Sequence, residues 1–180
     1  MAEIKSTLDL VMERTRHLSL SDEEKAHQQK ADFDKRLQGL LQQYADGVLS
    51  VDTLQDRTAS LQAELGVKDR GVLVAAIVDR IDPDQDNRRW LELVGTTAPA
   101  LRRPLEEILA DFSRRKREML QKSENRLRDH LASQHGITGS AVGPNPLKDS
   151  TCRAELAALR QQALDRLEAA LDQALQSNQK

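Results

Sequence analysis

Residues 104–134, PLEEILADFSRRKREMLQKSENRLRDHLASQ, decide how this chain folds. Apolar side chains recur there at an eleven-residue spacing: Leu109, Leu120 and Leu131; Ile108 and Met119; Leu105 and Leu127, with Lys116 between them. Such a period follows a nearly straight helix, or one with slight right-handed supercoil, better than a seven-residue period does. The spacing predicts one long helix of about 45 Å at 1.5 Å per residue. Pro104 suits its first turn, where a missing N–H costs nothing.

The closing stretch, 150–176, reads STCRAELAALRQQALDRLEAALDQALQ and repeats the pattern in Leu156 and Leu167, Leu159 and Ala170, Ala163 and Ala174, and Leu164 and Leu175. Between the two lies GITGSAVGPNP at 136–146, which cannot continue either helix. Antiparallel pairing follows, with a Leu-rich arm against an Ala-rich one that permits close approach. A hairpin symmetric about this loop brings together residues whose numbers sum to about 287, as in Leu131 with Leu156 and Leu120 with Leu167.

Working back toward the N-terminus, the chain punctuates itself into shorter helices. Ile4, Leu8, Val11, Thr15 and Leu18 share one helical face, started by Ser6 and Asp9. Ser21-Asp22-Glu23-Glu24 is a capping box, and Ala26, Phe33, Leu37, Leu40, Leu41 and Tyr44 carry a stripe to Gly47. Asp52, with Gln55 three residues on, starts a further helix through Leu54, Leu61 and Leu65 to Gly66, closing a hairpin around Gly47–Ser50. Val72–Val78 is a continuous apolar run that periodicity leaves open between strand and helix. No second β-branched segment offers to pair with it, so 69–81 reads as the central helix of an N-terminal bundle, ended by Asp82-Pro83-Asp84. A short helix through Trp90, Leu91, Leu93 and Val94 follows, and Gly95-Thr96-Thr97-Ala98-Pro99 reads as a domain junction. The expectation is an all-α protein: a small N-terminal helical bundle, 1–97, then a long antiparallel, coiled-coil-like two-helix hairpin, 98–180, with a Gly/Pro-rich loop at 136–149.

Composition agrees with that class. Hydrophobic residues make up 38% and charged residues 31%, enough apolar surface for one stripe per helix. Aromatics are confined to Phe33, Tyr44, Trp90 and Phe112, so Leu, Val, Ile, Ala and Met must fill the core, as in helical bundles. A net charge of −2 gives no global pull toward nucleic acid or anionic lipid. The single cysteine, Cys152, excludes an internal disulfide and suits a reducing compartment. Charges interrupt Met1–Lys30 throughout, which predicts neither a signal peptide nor a membrane anchor. A cytoplasmic protein without a membrane partner is expected.

Candidate sites are few. Asp82, Asp84 and Asp86 alternate as in a calcium loop, but Asn87 stands where the loop needs glycine and Leu93 where it needs a bidentate Glu. An acidic turn capping the next helix is the plainer reading. His130 and His135 stand five apart, off the four-residue spacing of a helical zinc pair. Cys152 lacks an oxyanion loop, and no Gly-rich phosphate loop occurs. No metal, cofactor or catalytic residue is therefore expected. Arg114, Arg115, Arg117, Lys122, Arg126 and Arg128 make the middle of the long helix basic, a surface for nucleic acid or the ribosome. Glu118 and Glu124 interrupt it, and consecutive residues point apart around a helix. At the hairpin tip, Ile137, Val142 and Pro144 form either a protein-binding tip or a simple connector.

The opening MAEIKSTLDL, continued by Ser21–Lys25, resembles the start of small uncharacterised helical proteins of bacteria, a likeness that implies helical structure and brings no function. The stretch from Leu37 to Leu65, with Leu40, Leu41, Asp46-Gly47 and Ser50, is similar to short helical hairpins that bacteria use as oligomerisation modules, although it lacks their aromatic after the turn. That resemblance implies self-association, and a homodimer is accordingly one expected state. The functional expectation is a non-enzymatic helical adaptor or scaffold acting through protein–protein contacts; the alternative is the nucleic-acid factor.

Overall fold

A computed structural model describes residues 21–67, 71–139 and 141–177. Its regular structure among these residues is entirely helical: α1 (Asp22–Ala45), α2 (Val51–Leu65), α3 (Gly71–Val78), α4 (Arg88–Thr97), α5 (Pro99–His135), a 3-10 turn (Pro146–Lys148) and α6 (Ser150–Ser177). The all-α expectation therefore holds. The amphipathic segment expected between Ile4 and Leu18 lies outside the described residues.

The chain divides into two compact units, Met1–Lys68 and Asp69–Lys180. In the first, α1 and α2 form an antiparallel hairpin. The Ser21 N–H donates to Glu24 Oε2 at 2.7 Å and the Glu24 N–H to Ser21 Oγ at 3.2 Å, the expected capping box. Gly47 turns the chain at φ 79°, a left-handed conformation open to glycine without strain. Helix α2 begins one residue before the expected Asp52, because the Ser50 hydroxyl accepts the Thr53 N–H and so serves as the cap. Phe33, Leu37, Leu41 and Tyr44 of α1 are buried, as are Leu54, Thr58 and Leu61 of α2. Arg36 pairs with Glu64 across the hairpin at 2.8 Å. The Thr58 hydroxyl is buried without a hydrogen-bond partner among the described residues, a local cost in an otherwise apolar seam.

In the second unit, α3, α4, α5 and α6 pack together. The apolar run Val72–Val78 is helical, as expected, but the helix ends at Val78 rather than Ile81 and lies in this unit, where α3 packs on α4 and α6; residues 69 and 70 lie outside the described residues. Its last turn tightens: the Arg80 and Ile81 N–H groups donate three residues back, to Ile77 and Val78. The division at 68/69 thus precedes the anticipated junction at 97/98. Gly95–Pro99 bends the chain without parting domains, because α4 runs through Thr97 and α5 starts at Pro99 and packs against it. Thr96 and Thr97 turn their hydroxyls back to the Leu93 carbonyl, at 2.9 and 2.8 Å. Pro99, not Pro104, occupies the first turn of α5; Pro104 lies within the helix and leaves one backbone carbonyl there without its usual donor.

The seam of the long hairpin buries the expected Leu105, Ile108, Leu159, Ala163 and Leu167, while Leu109, Leu120 and Leu131 are half-buried. Leu101, Phe112 and Ser123 are also buried on α5, and Cys152 and Leu171 on α6. The register differs from the symmetric one. Two cross-helix ion pairs, Arg126 with Asp149 and Arg166 with Asp111 at 2.8 Å, join residues whose numbers sum to about 276, not 287. The reason lies in the loop. Arg128 donates from Nε to the Val142 carbonyl at 3.3 Å, so 141–149 folds back beside α5, and α6 begins level with Ser123 and Arg126.

Asp149 holds that register. Its carboxylate accepts the Thr151 N–H at 3.1 Å, pairs with Arg126 and receives the Ser123 hydroxyl at 3.4 Å. Burial pushes its carboxyl up, but the Thr151 N–H and the Arg126 charge outweigh that and leave it below the usual carboxylate value. A carboxyl lowered in this way stabilises the fold fully above its unfolded pKa of about 3.9. That contribution is lost as pH falls through the lower folded value. Asp149→Ala is expected to lower the urea midpoint of the second unit at neutral pH. The difference from wild type should shrink as pH falls below about 4 in urea titrations; a difference independent of pH would mean that the charge plays no part.

Candidate interaction surface

The loop closing the long hairpin is built stepwise from helix-end chemistry. Gly136 ends α5 at φ 63°, donating to Ala132 at 3.1 Å, and the Ile137 N–H reaches back to Leu131 at 3.2 Å, so the terminal carbonyls are satisfied. The Val142 N–H closes a turn on Gly139 at 3.2 Å. Asn145 Oδ1 accepts the Leu147 N–H at 3.0 Å and starts the 3-10 turn. On this frame Ile137 is 47% exposed and Leu147 53% exposed. Val142 and Pro144, the other expected tip residues, are half-buried, consistent with Val142 being drawn toward Arg128. Leu147 escaped the sequence reading because it follows Pro146 in a segment that looks like linker; its exposure depends on where the loop folds.

Four of the six cations of the basic stretch meet acids. Arg114 pairs with Asp111 at 2.6 Å and Glu118 at 3.0 Å, Arg115 approaches Asp111 at 4.0 Å, Arg126 pairs with Asp149, and Arg128 pairs with Glu124 at 2.8 Å. Arg117 donates to the Ser113 carbonyl at 3.3 Å. Lys122 is the remaining cation of the six, and it is exposed. Hydrogen bonds from Arg166 and Arg114 hold the Asp111 carboxyl below its ordinary value. These pairs are exposed and individually weak, but together they balance the charge that phosphate would need.

Asp82-Pro83-Asp84-Gln85-Asp86 presents its carboxylates to side chains of this chain. Asp84 pairs with Lys116 of α5 at 2.5 Å and with Arg160 of α6 at 3.3 Å; Asp82 also meets Arg160 at 3.3 Å; Asp86 chelates Arg88 at 2.6 Å, which pulls its carboxyl down to about 2. The turn thus ties the α3–α4 connection to both long helices. Asn87 shapes it from inside: its side-chain oxygen accepts the Asp82 N–H at 3.1 Å, and its amide donates to the carbonyls of Asp82 at 2.7 Å and Gln85 at 3.0 Å. The residue that spoils a calcium loop is therefore the buried keystone of this turn. Lys116 and Arg160 stand far along the chain from the acids they meet, beyond the reach of any local pattern.

The histidines behave differently from their spacing. The rings of His130 and His135 meet edge-on, 6.0 Å between centroids, at the exposed end of α5. No group of three or more metal-ligating side chains occurs among the described residues. Cys152 is fully buried in the hairpin seam. Among the described residues, no helix is long and apolar enough to cross a membrane. Comparison with known proteins finds no matching family model, no matching curated protein and no matching solved structure.

Proposed function

We propose that this chain is a non-enzymatic helical adaptor that binds another protein through the loop at the end of its long hairpin. The observation that carries this reading is the exposure of Ile137 and Leu147 on a backbone held by helix-end and turn hydrogen bonds. An apolar side chain presented on an ordered loop enters an interface at little cost in conformational entropy, which makes it an effective anchor. Val142 and Pro144 of the same loop are half-buried. The internal pairing of Arg114, Arg115, Arg126 and Arg128 weighs against the nucleic-acid alternative, since each paired cation must first leave its acid.

The test is affinity purification of the tagged chain from its source cells, run beside the double variant Ile137→Asp with Leu147→Asp. A protein partner retained by wild type and reduced at least about tenfold in the variant supports the adaptor. Equal retention by both removes the tip as the contact. Recovery of RNA that is released by moderate salt would favour the alternative instead.

A further inference from the structure

We propose that His130 and His135, at the end of α5, form a two-imidazole site for a divalent transition ion of the class that includes Zn²⁺, Ni²⁺ and Cu²⁺. Five residues apart on a regular helix, two side chains point about 140° away from each other and do not share a ligand. Here His135 is the final residue of the helix, and the two rings meet edge-on with 6.0 Å between centroids. A metal–nitrogen bond of about 2.0–2.1 Å puts an ion about 3.2 Å from the centroid of each ring it joins. Two rings on one ion then stand about 4.5 Å apart for a right angle at the metal and about 6.4 Å apart for a linear arrangement. The observed separation lies inside that range. The terminal torsion of a histidine is broad, so turning the rings aims a nitrogen of each into the space between them.

Nothing else holds the pair. Both side chains are exposed, and neither makes a hydrogen bond or ion pair among the described residues. A neutral imidazole carries one nitrogen lone pair, so each ring offers one ligand that no other group occupies. The surrounding charge favours a cation. Arg126 and Arg128, the basic side chains just before His130, are neutralised by Asp149 and Glu124. His135 lies in the last turn of a 37-residue helix, where the negative pole of the helix dipole attracts positive charge.

The ligand type selects the ion. Imidazole suits Zn²⁺, Ni²⁺ and Cu²⁺, whereas Mg²⁺ and Ca²⁺ take oxygen ligands. No group of three ligating side chains occurs among the described residues, so part of the coordination shell is left to water or to a donor carried by another molecule. A two-point chelate holds its ion less firmly than the closed four-ligand sites that stabilise folds, and the ion exchanges with solution. Ile137 lies two residues beyond His135 and is 47% exposed, which sets the open coordination positions at the same end of the hairpin as the apolar tip. The site goes beyond the adaptor reading and does not depend on it, since both ligands belong to this chain.

The experiment is calorimetric titration of Zn²⁺, and separately of Ni²⁺, into the full chain after a chelator has stripped it of metal. Wild type is expected to bind one ion per chain, or one per two chains where a second copy fills the open positions, and excess Mg²⁺ should not compete. His130→Ala and His135→Ala should each weaken binding at least about tenfold, because a single imidazole no longer chelates. His17→Ala with His27→Ala removes the other two histidines and should leave the affinity within about twofold of wild type. Gln134→His with His135→Ala moves the pair to the four-residue spacing of a helical zinc pair and should restore binding. Both rings are exposed, so the metal-free variants should keep the urea midpoint read by Trp90 fluorescence. No binding by wild type, full binding after either single substitution, or an equal loss in His17→Ala with His27→Ala would overturn the proposal. The probe is the metal alone, so a tip that retains no protein partner leaves this result standing.

Discussion

Phe112→Ala is expected to lower the stability of the second unit by about 3–5 kcal/mol, the cost of deleting a large buried aromatic whose cavity the surroundings close only in part. Phe112 is 3% exposed in the α5 seam. Arg166 of α6 pairs with the neighbouring Asp111, so the ring is buried at the level where α5 meets α6. Its removal reaches beyond packing. Lys116 Nζ lies 5.9 Å over the ring and reaches from there to Asp84, so the same substitution loosens the tie between α5 and the acidic turn. Trp90, the sole tryptophan of the chain, lies in this unit, and its fluorescence in a urea titration reports the loss without interference from the first unit. A loss below about 1 kcal/mol would show that the ring is not seated between the helices. Phe112→Leu should cost less than about half as much, since most of the volume returns.

Asn87→Ala carries the second large effect, about 3 kcal/mol. The side chain is 7% exposed and satisfies three backbone groups at once: the Asp82 N–H and the carbonyls of Asp82 and Gln85. Truncation leaves these groups short of partners in a partly buried turn, and an unmet buried polar group costs more than an ordinary hydrogen bond is worth. Asn87→Asp separates the terms. The acceptor for the Asp82 N–H remains, but both donations disappear and an ionised carboxylate faces two carbonyl oxygens. Its penalty should be close to that of alanine at neutral pH and should narrow relative to wild type in acid, where a protonated carboxyl regains a donor. Equal urea midpoints for wild type and Asn87→Ala would refute the keystone role.

The Phe112 effect depends on segments distant in sequence and the Asn87 effect on partners within five residues, and the same division between local and distant contacts runs through the molecule. Ser21 and Glu24 cap α1, Gly66 and Gly136 end α2 and α5, and Gly47 turns the first hairpin, each where the local residues indicated. These features act within one or two turns of chain, so a linear pattern contains all their partners. The boundary between units was not legible in this way. Gly95–Pro99 has the composition of a linker, yet the Thr96 and Thr97 hydroxyls return to Leu93 and the next helix starts at once. The basic stretch looked available for phosphate because Asp111, Asp149, Glu118 and Glu124 could be counted but not placed.

By itself the sequence determined that this protein is helical, that a Leu-rich and an Ala-rich segment end it, and that a Gly/Pro loop lies between them, since propensity, period and capping are local properties. Only the tertiary structure decided the register of that hairpin, the placement of α3 with α4 and α6, and which cations the acids of the 82–86 turn meet. An eleven-residue repeat fits its partner almost equally well when slid by one period, so periodicity leaves the offset open. Asp149, Arg126 and the folded-back loop, acting across more than twenty residues of chain, select one offset.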